Sequence, residues 1–429
     1  MELALSGYQA ALDALFARTT GAWKFGLDTT RSLLAALDNP HRKYPVFHVG
    51  GTNGKGSVVA TLDTLLRAQG FRVGRYTSPH LVDFRERTVV NGVAISEEEI
   101  ERFLRDRAEL IERSEATFFE ATTCLAFEHF ARSDVDAAVI EVGLGGRLDA
   151  TNVVNPVCAG VTTIGVDHVE YLGDTPAAIA REKAGIFKAG AAAVIGDHDP
   201  AIREQLATIA EAVGASVVRR VDAEVTVSAI DVTPRGTTFR IRGALGERSL
   251  RTPLIGAHQA ANTVMALTML DAAGPHFSVA AERAERALSA VQLAGRFDWW
   301  GDVIFDVAHN PAAAAVLVET VARVEPPRPL TLLLGVLADK AWRDIMSSLA
   351  RIADRIVLAA PPSAPPDRAW SLDEAHAFAL TLGVPVSAQP DFVRALADAR
   401  EGTATTLVTG SFHTVGDAMR CLQRSPLAG

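Results

Sequence analysis

The sequence predicts an α/β protein with two open parallel sheets, of which the first is larger and is followed by a small antiparallel sheet. Three observations lead to this prediction. Short apolar runs alternate with helical segments from residue 46 onward, a glycine-rich loop joins the first of these strands to a helix, and a two-residue period replaces the alternation at residues 224–252. Strands that alternate with helices are typical of a parallel sheet, whereas a two-residue period indicates an antiparallel one.

Length and composition place the chain among globular proteins with more than one domain. It has 429 residues, 48% hydrophobic and 22% charged, which exceeds the usual size of a single core. The net charge of −9 disfavours partners such as nucleic acid or an anionic membrane. Three distant cysteines show no metal-ligand spacing, and no apolar run reaches the ~18 residues of a membrane span. We expect a cytoplasmic monomer.

The loop after the first strand is the most informative stretch, Gly51-Thr52-Asn53-Gly54-Lys55-Gly56-Ser57. Its glycines let backbone N–H groups face an anion, the following helix adds its positive dipole end, and Lys55 adds a full charge. The Ser57 hydroxyl could reach a magnesium ion. Val49 stands where a strict phosphate loop has its first glycine, and Gly56 separates Lys55 from Ser57. The loop therefore predicts a variant phosphate-binding loop, and an ordinary tight turn is the alternative.

The second strand, residues 72–76, ends in a polar loop that carries Ser78, His80, Arg85 and Arg87. In an open parallel sheet, ligands bind beyond the carboxyl ends of the strands. We therefore expect these side chains to face the region of Lys55, where the two arginines could supply the local positive charge that an anionic substrate needs. A solvated loop is the alternative.

A segment at residues 117–123 mixes aromatic and hydroxyl side chains, including Phe119 and Thr122. This combination suits a flat heteroaromatic ligand. It equally suits the buried start of the helix that runs to Arg132.

Two later strands end in possible metal ligands. Glu141 closes a nearly apolar strand, where a carboxylate needs a cation, and His168 follows the strand at 157–164. With Ser57 or Ser78 they could surround one or two metal ions, although magnesium prefers oxygen and makes His168 an unusual candidate. The next helix begins with a capping residue and Pro176. It carries Lys183, which without further information would be taken for a lysine exposed to solvent.

The two-residue period predicts an antiparallel hairpin around Thr233-Pro234-Arg235-Gly236. We place a domain boundary at residues 292–296, which gives an N-terminal domain of residues 1–292 and a C-terminal domain of residues 296–429. Strands of the second domain end at Asp306, His309 and Ser411. Because polar strand ends form two groups, we predict a cleft between the domains in which two reactants are brought together.

Five motifs resemble the folylpolyglutamate synthase and dihydrofolate synthase family of the Mur ligase superfamily. In chain order they occupy residues 51–57, 77–81, 141–152, 182–186 and 306–311. The resemblance covers essentially the whole chain and includes the irregular glycine spacing of the loop. It implies a phosphate-loop ATPase domain followed by a smaller Rossmann-like domain that serves as a glutamate ligase domain.

The resemblance also implies a reaction, namely ATP-dependent amide formation that consumes L-glutamate. ATP phosphorylates a carboxylate of the pterin substrate, and the α-amino group of L-glutamate displaces phosphate from the resulting acyl phosphate. Mg²⁺ and protein cations stabilise the transferring phosphoryl group. We expect both dihydropteroate and tetrahydrofolate to be substrates. The alternatives are an enzyme with only one activity, a ligase for a cell-wall nucleotide precursor, and a nucleotide-driven switch that ligates nothing.

Site residues follow from the same resemblance. The catalytic residues are Lys55, Lys183 and His309. ATP contacts are implied for Gly51, Thr52, Asn53, Gly54, Lys55, Gly56, Ser57, Asn262, Arg296, Asp306 and His309. Metal ligands are implied at Ser78, Glu141, His168 and Lys183, the last as a carbamylated lysine. The pterin and glutamate contacts, carried over more loosely, are Arg85, Phe119, Thr122, Asp149 and Ser411.

Overall fold

The computed structural model describes residues 7–19, 26–167 and 169–427. A first sheet begins at the strand before the glycine loop, and its strands are β1 Val46–Gly50, β2 Val73–Tyr76, β3 Thr88–Val90, β4 Val93–Ala94, β5 Ala137–Glu141, β6 Cys158–Val161, β7 Ala192–Ile195 and β8 Val217–Arg220. Within the described ranges this sheet has eight strands in the order β4-β3-β2-β5-β1-β6-β7-β8.

The first sheet is parallel except at one edge. Strands β2, β5, β1, β6, β7 and β8 pair in parallel, as predicted. Strands β3 and β4 pair antiparallel at the edge and were not predicted, because runs of three and two residues are too short to show a period.

Helices cover both faces of the first sheet. They are α1 Tyr8–Phe16, α2 Asp28–Ala36, α3 Lys55–Ala68, α4 Glu97–Arg113, α5 Phe118–Arg132, α6 Val169–Leu172, α7 Pro176–Ala184, α8 Pro200–Ala212 and α9 Val221–Glu224. Successive residues of β1 point to opposite faces, so Phe47 belongs to the core beneath α3 and Val46 to the core beneath α5.

The predicted antiparallel hairpin is confirmed and gains a third strand. The small sheet contains β9 Val225–Thr233, β10 Gly236–Gly243 and β11 Gly246–Thr252, in the order β11-β10-β9. Two helices follow it, α10 His258–Ala272 and α11 Ala281–Leu288. Phe239 and Ile241 of β10 join the core beneath α3, so the small sheet packs against the first layer.

A second open sheet follows, as predicted. Its strands are β12 Asp298–Trp300, β13 Val303–Phe305, β14 Leu330–Leu334, β15 Arg355–Leu358, β16 Val386–Ala388 and β17 Thr405–Thr409. Its helices are α12 Pro311–Val324, α13 Trp342–Ala350, α14 Leu372–Ala379, α15 Phe392–Arg400 and α16 Phe412–Cys421. The order is β12-β13-β17-β14-β15-β16. Only the unpredicted edge strand β12 pairs antiparallel among the strands described in this sheet.

The loop after β2 anchors the two layers to each other. Leu81 packs in a core cluster with Phe305, Val307 and Val415 of the second sheet and α16. A Cβ atom placed on Gly416 would lie 2.1 Å from the carbonyl oxygen of Leu81, so α16 approaches this loop at the distance that only glycine allows. This contact brings the carboxyl ends of both sheets to one place.

Across the part of the chain that the structure describes, no helix has the length and apolar character needed to cross a bilayer.

Candidate active site

A cavity of about 440 Å³ lies where the strand ends of the two sheets face each other. Its wall combines the glycine loop after β1 with residues from the loops after β2, β5, β6 and β13. Among the predicted site residues, those that line it are Gly51, Thr52, Asn53, Gly54, Lys55, Gly56, Ser57, Ser78, Glu141, Lys183, Asn262, Arg296, Asp306 and His309. The structure therefore brings together residues that are as far as 258 positions apart in the sequence.

Hydrogen bonds to the loop after β6 hold the glycine loop in shape. Thr52 N donates to Thr163 O at 2.7 Å, and Thr162 Oγ1 donates to Asn53 O at 2.7 Å. Gly51 has φ +135°, and a Cβ atom there would lie 1.8 Å from Thr162 Oγ1. Both the backbone conformation and the close approach require glycine at this position.

Two lysines converge on one carbonyl of this loop. Lys55 Nζ donates to Gly51 O at 3.1 Å, and Lys183 Nζ donates to the same oxygen at 2.9 Å. Lys183 is only 5% exposed, so its interpretation as a solvated lysine is wrong. Burial, and then the positive charge of Lys55, lower the pKa of Lys183 to about 7. Burial also lowers the pKa of Lys55.

Glu141 and Ser78 supply oxygen atoms on the same side of the cavity. Ser78 N donates to Glu141 Oε2 at 3.4 Å, and Glu141 is buried at the end of β5. Burial raises the pKa of Glu141, while the charge of Lys55 opposes the rise. His168, the remaining predicted histidine ligand, lies outside the described residues. Among those described, no three His, Cys, Asp or Glu side chains cluster closely enough to bind a metal.

The opposite wall comes from the segment around β13. Asp306 accepts hydrogen bonds from Phe297 N and Ala308 N, both at 2.9 Å, which fixes the loop that carries His309. His309 Nδ1 donates to Val307 O at 2.8 Å. The Arg296 guanidinium lies 5.1 Å from the ring centroid of Phe412, a distance at which a cation interacts with an aromatic face.

Helix α10 brings Asn262 and His258 to the cavity. A Cβ atom on Gly54 would lie 2.6 Å from Asn262 Oδ1, so Asn262 contacts the glycine loop directly. His258 lines the same cavity, and its Nδ1 is buried without a hydrogen-bond partner among the described residues.

Five predicted pterin and glutamate contacts do not line this cavity, namely Arg85, Phe119, Thr122, Asp149 and Ser411. Arg85 pairs with neighbouring carboxylates: its Nη2 donates to Asp83 Oδ2 at 2.6 Å, and its Nη1 lies 3.6 Å from Glu97 Oε1. Its charge is therefore already compensated.

The other four have local contacts as well. The Ser411 hydroxyl accepts from Thr414 N at 3.0 Å and caps α16, while Asp149 accepts from Leu144 N and Thr151 N, both at 2.9 Å. Thr122 is buried, with its hydroxyl 3.2 Å from that of Tyr76, and the half-buried ring of Phe119 packs against Gly143. Their substrate roles remain predictions.

Sequence reasoning missed a polar cluster between the two sheets. Asp167, after β6, pairs with Lys340, after β14, at 2.6 Å. Asn310 Nδ2 donates to Asn53 Oδ1 at 3.0 Å. The position of Asp167 at a strand end was the available signal, whereas nothing near Lys340 in the sequence indicates its partner.

Two protein families match the amino-acid sequence of this chain. The Mur ligase middle domain matches residues 49–270, and the Mur ligase glutamate ligase domain matches residues 295–412. The fold and the facing sheets thus define a Mur ligase. Below, these two matched regions are called the middle domain and the glutamate ligase domain.

Similarity extends to particular enzymes. The chain is 36% identical to the dihydrofolate synthase/folylpolyglutamate synthase of Mycobacterium tuberculosis, over 92% of this chain and 89% of that protein. It is 34% identical to a probable bifunctional folylpolyglutamate synthase/dihydropteroate synthase of Halobacterium salinarum, of which it spans about half, 49%. The chain belongs to the dihydrofolate synthase/folylpolyglutamate synthase family of Mur ligases.

Solved structures agree with this assignment. E. coli FolC in complex with DHPP and ADP has a TM-score of 0.85 at 32% identity, covering 99% of both chains. A bifunctional folylpolyglutamate synthase/dihydrofolate synthase with Mn, AMPPNP and L-glutamate bound has a TM-score of 0.81 at 32% identity, covering 97% of this chain and 98% of that one.

Proposed function

We propose that this protein uses ATP to ligate L-glutamate to dihydropteroate and to tetrahydrofolate. The observation that carries the proposal is the cavity shared by the glycine loop, with its two converging lysines, and the Arg296 and His309 wall. The similarity to enzymes named for both activities, and to structures that hold ADP, DHPP, AMPPNP, Mn and L-glutamate, supports it.

The reaction needs two displacements at one place. A carboxylate oxygen of the pterin substrate attacks the γ-phosphorus of ATP, and the bond to ADP breaks. The glutamate nitrogen then attacks the acyl carbon, loses a proton, and inorganic phosphate leaves with the bonding pair. Two domains that face each other suit this order of reactions, because they hold both substrates and limit the entry of water.

The residues present fit a nucleotide and a divalent cation. Gly51 and Gly54 adopt positive φ angles, which allows a close approach of phosphate to backbone N–H groups. A buried carboxylate at Glu141 and the hydroxyl of Ser78 offer the oxygen donors that Mg²⁺ prefers. When bound, the metal would neutralise charge that develops on the transferring phosphoryl group.

We propose that residues of the cavity divide the work as follows. Lys55 and the loop amides hold phosphates, with Arg296 and His309 opposite them. Lys183, once carbamylated, contributes an oxygen donor to the metal, for which Glu141 and His168 are the further proposed ligands. This role is supported by the low pKa of Lys183, about 7, since a neutral amine is the form that adds CO₂.

We also propose that the chain divides at residues 292–296 and acts as a monomer. The gap between the matched families, which end at 270 and resume at 295, supports the boundary. Light scattering coupled to gel filtration would check the monomer, and a dimer mass would contradict it.

The direct test is phosphate release by purified protein with Mg-ATP and L-glutamate, comparing dihydropteroate, tetrahydrofolate and no pterin. We expect both pterins to stimulate release. Stimulation by one alone would reduce the proposal to a single activity. Stimulation only by a cell-wall nucleotide precursor would refute the folate assignment.

A further inference from the structure

One carboxylate of the middle domain, that of Asp167, meets three groups of the glutamate ligase domain. Asp167 Oδ1 accepts from Lys340 Nζ at 2.6 Å. Asp167 Oδ2 accepts from Asn310 Nδ2 at 3.3 Å and lies 3.5 Å from His309 Nε2. The side chains of Asp167 and Lys340 are only 9% and 8% exposed.

The burial of this pair distinguishes it from most ion pairs among the described residues. Surface pairs contribute little, whereas removing one partner of a buried pair leaves an uncompensated charge. Lys340 comes from the loop between β14 and α13, and Asp167 comes from the loop after β6. The pair therefore forms only when the two domains have the relative orientation seen here.

The same carboxylate contacts the residues that face the glycine loop. Asn310 caps α12 by accepting from Ala313 N at 2.9 Å and also exchanges hydrogen bonds with Asn53 of the loop, at 3.0 and 3.3 Å. His309 is held on its other side by Val307 O. Asp167 thus reaches both the docking lysine and the start of α12 through its two oxygens.

We propose that Asp167 is a positioning residue, which docks the glutamate ligase domain through Lys340 and sets His309 and Asn310 against the phosphate loop. Its two oxygens divide these tasks. The inference rests on the proposed function for its kinetic consequence, because a misplacement of about 1 Å at a reacting centre can lower a rate by roughly a hundredfold. The docking itself does not depend on the identity of the substrate.

The test uses five variants of the full chain, one of them a control. Asp167→Asn and Lys340→Met each remove one charge at nearly constant size, Lys340→Arg keeps the charge, and the double variant removes both charges. Asp302→Asn is the control for loss of a carboxylate charge within one domain, because Asp302 pairs with Arg400 at 2.8 Å inside the glutamate ligase domain. Small-angle X-ray scattering with Mg-ADP reports domain separation, and phosphate release reports kcat and KM.

We expect Asp167→Asn and Lys340→Met to increase the radius of gyration and to lower kcat roughly tenfold to a hundredfold. Lys340→Arg and Asp302→Asn should match wild type. The double variant should be no worse than the poorer single variant, because the two side chains act as one unit. Unchanged scattering, or kinetic losses that simply add, would overturn the proposal.

Two features keep the result interpretable. If Asp167→Asn fails to fold, the contrast between Lys340→Met and Lys340→Arg still decides the question. If wild type releases no phosphate with any pterin, the folate proposal fails, yet the scattering comparison still tests the docking.

Discussion

Among single residues, Lys55 lies in the glycine loop that we propose to hold phosphate. Its Nζ donates to Gly51 O and Thr52 O, both at 3.1 Å, which places a buried cation in the glycine loop. We expect Lys55→Ala to abolish phosphate release and leave the thermal unfolding curve nearly unchanged, because the lysine packs at the cavity rather than in a core. Lys43→Ala is the control, since Lys43 is half-exposed and pairs with Asp38. Near-normal turnover in Lys55→Ala would contradict the phosphate-loop assignment.

A separate prediction concerns the proposed carbamate on Lys183. A buried amine whose pKa lies near 7 is neutral for a large fraction of the time at neutral pH, and the proposed carbamate forms on the neutral amine. We expect Lys183→Ala to impair metal-dependent turnover, with partial recovery when a short carboxylic acid is added. Lys188→Ala, four residues after the end of α7, is the control. Full activity with an unmodified Lys183, checked by mass spectrometry, would remove the proposed role.

The lowered pKa of His48 predicts how the free energy of unfolding depends on pH. Burial, and then the charge of Lys188, lower its pKa to about 3, whereas an unfolded chain has a histidine pKa of about 6.5. Between these values the unfolded state binds more protons, so the stability that is present above pH ~6.5 is lost as pH falls. The loss attributable to His48 is about 3 kcal/mol at pH ~4.5.

We expect His48→Gln to reduce this acid sensitivity, because a glutamine amide does not titrate in this pH range. The amide can still donate to Thr151 Oγ1, which lies 2.9 Å from His48 Nε2. Urea unfolding between pH 7 and 4.5 measures it. The exposed His276→Gln serves as control, and equal acid sensitivity in wild type and His48→Gln would be inconsistent with the prediction.

At the scale of elements, the strand–loop–helix unit of β1 and α3 depends on backbone conformation. Gly54 caps α3 with φ +90°, and a Cβ atom there would approach Asn262 Oδ1 to 2.6 Å. We expect Gly54→Ala to lose ADP binding in calorimetry and roughly 1–2 kcal/mol of stability from the left-handed conformation. Gly70→Ala is a matched control, because Gly70 has φ +95° with no atom within 4 Å of its Cβ position. If both variants bind ADP equally, the loop–α10 contact is unimportant.

At the scale of the whole molecule, the contact between Leu81 and α16 decides how the sheets face each other. Alanine usually stabilises a helix relative to glycine by about 1 kcal/mol, yet a Cβ atom on Gly416 would meet the Leu81 carbonyl at 2.1 Å. We therefore expect Gly416→Ala to lower the melting temperature and to increase the radius of gyration. Cys421→Ala, at the exposed end of the same helix, should change neither. A more stable Gly416→Ala would show that this contact is not formed in solution.

Much of the fold and part of the site could be predicted because their signals are local. Each strand or helix of the alternation, the glycine loop and the two-residue period of the small sheet are encoded in short segments. The observed sheets confirm the alternation and the antiparallel sheet. The family was identified from short motifs, and the polar residues at strand ends were grouped from short segments in the same way. The short edge strands β3, β4, β12 and β16 were missed because they contain too few residues to show a period.

Only the tertiary structure decided which side chains meet. The sequence by itself determined most of the order of elements, the glycine loop and the family, since each depends on neighbouring residues. The burial of Lys183 beside Lys55 and the bond between Asp167 and Lys340, 173 positions apart, depend on how the layers pack. Packing joins residues without regard to their distance along the chain, and for that reason these contacts leave no local signal.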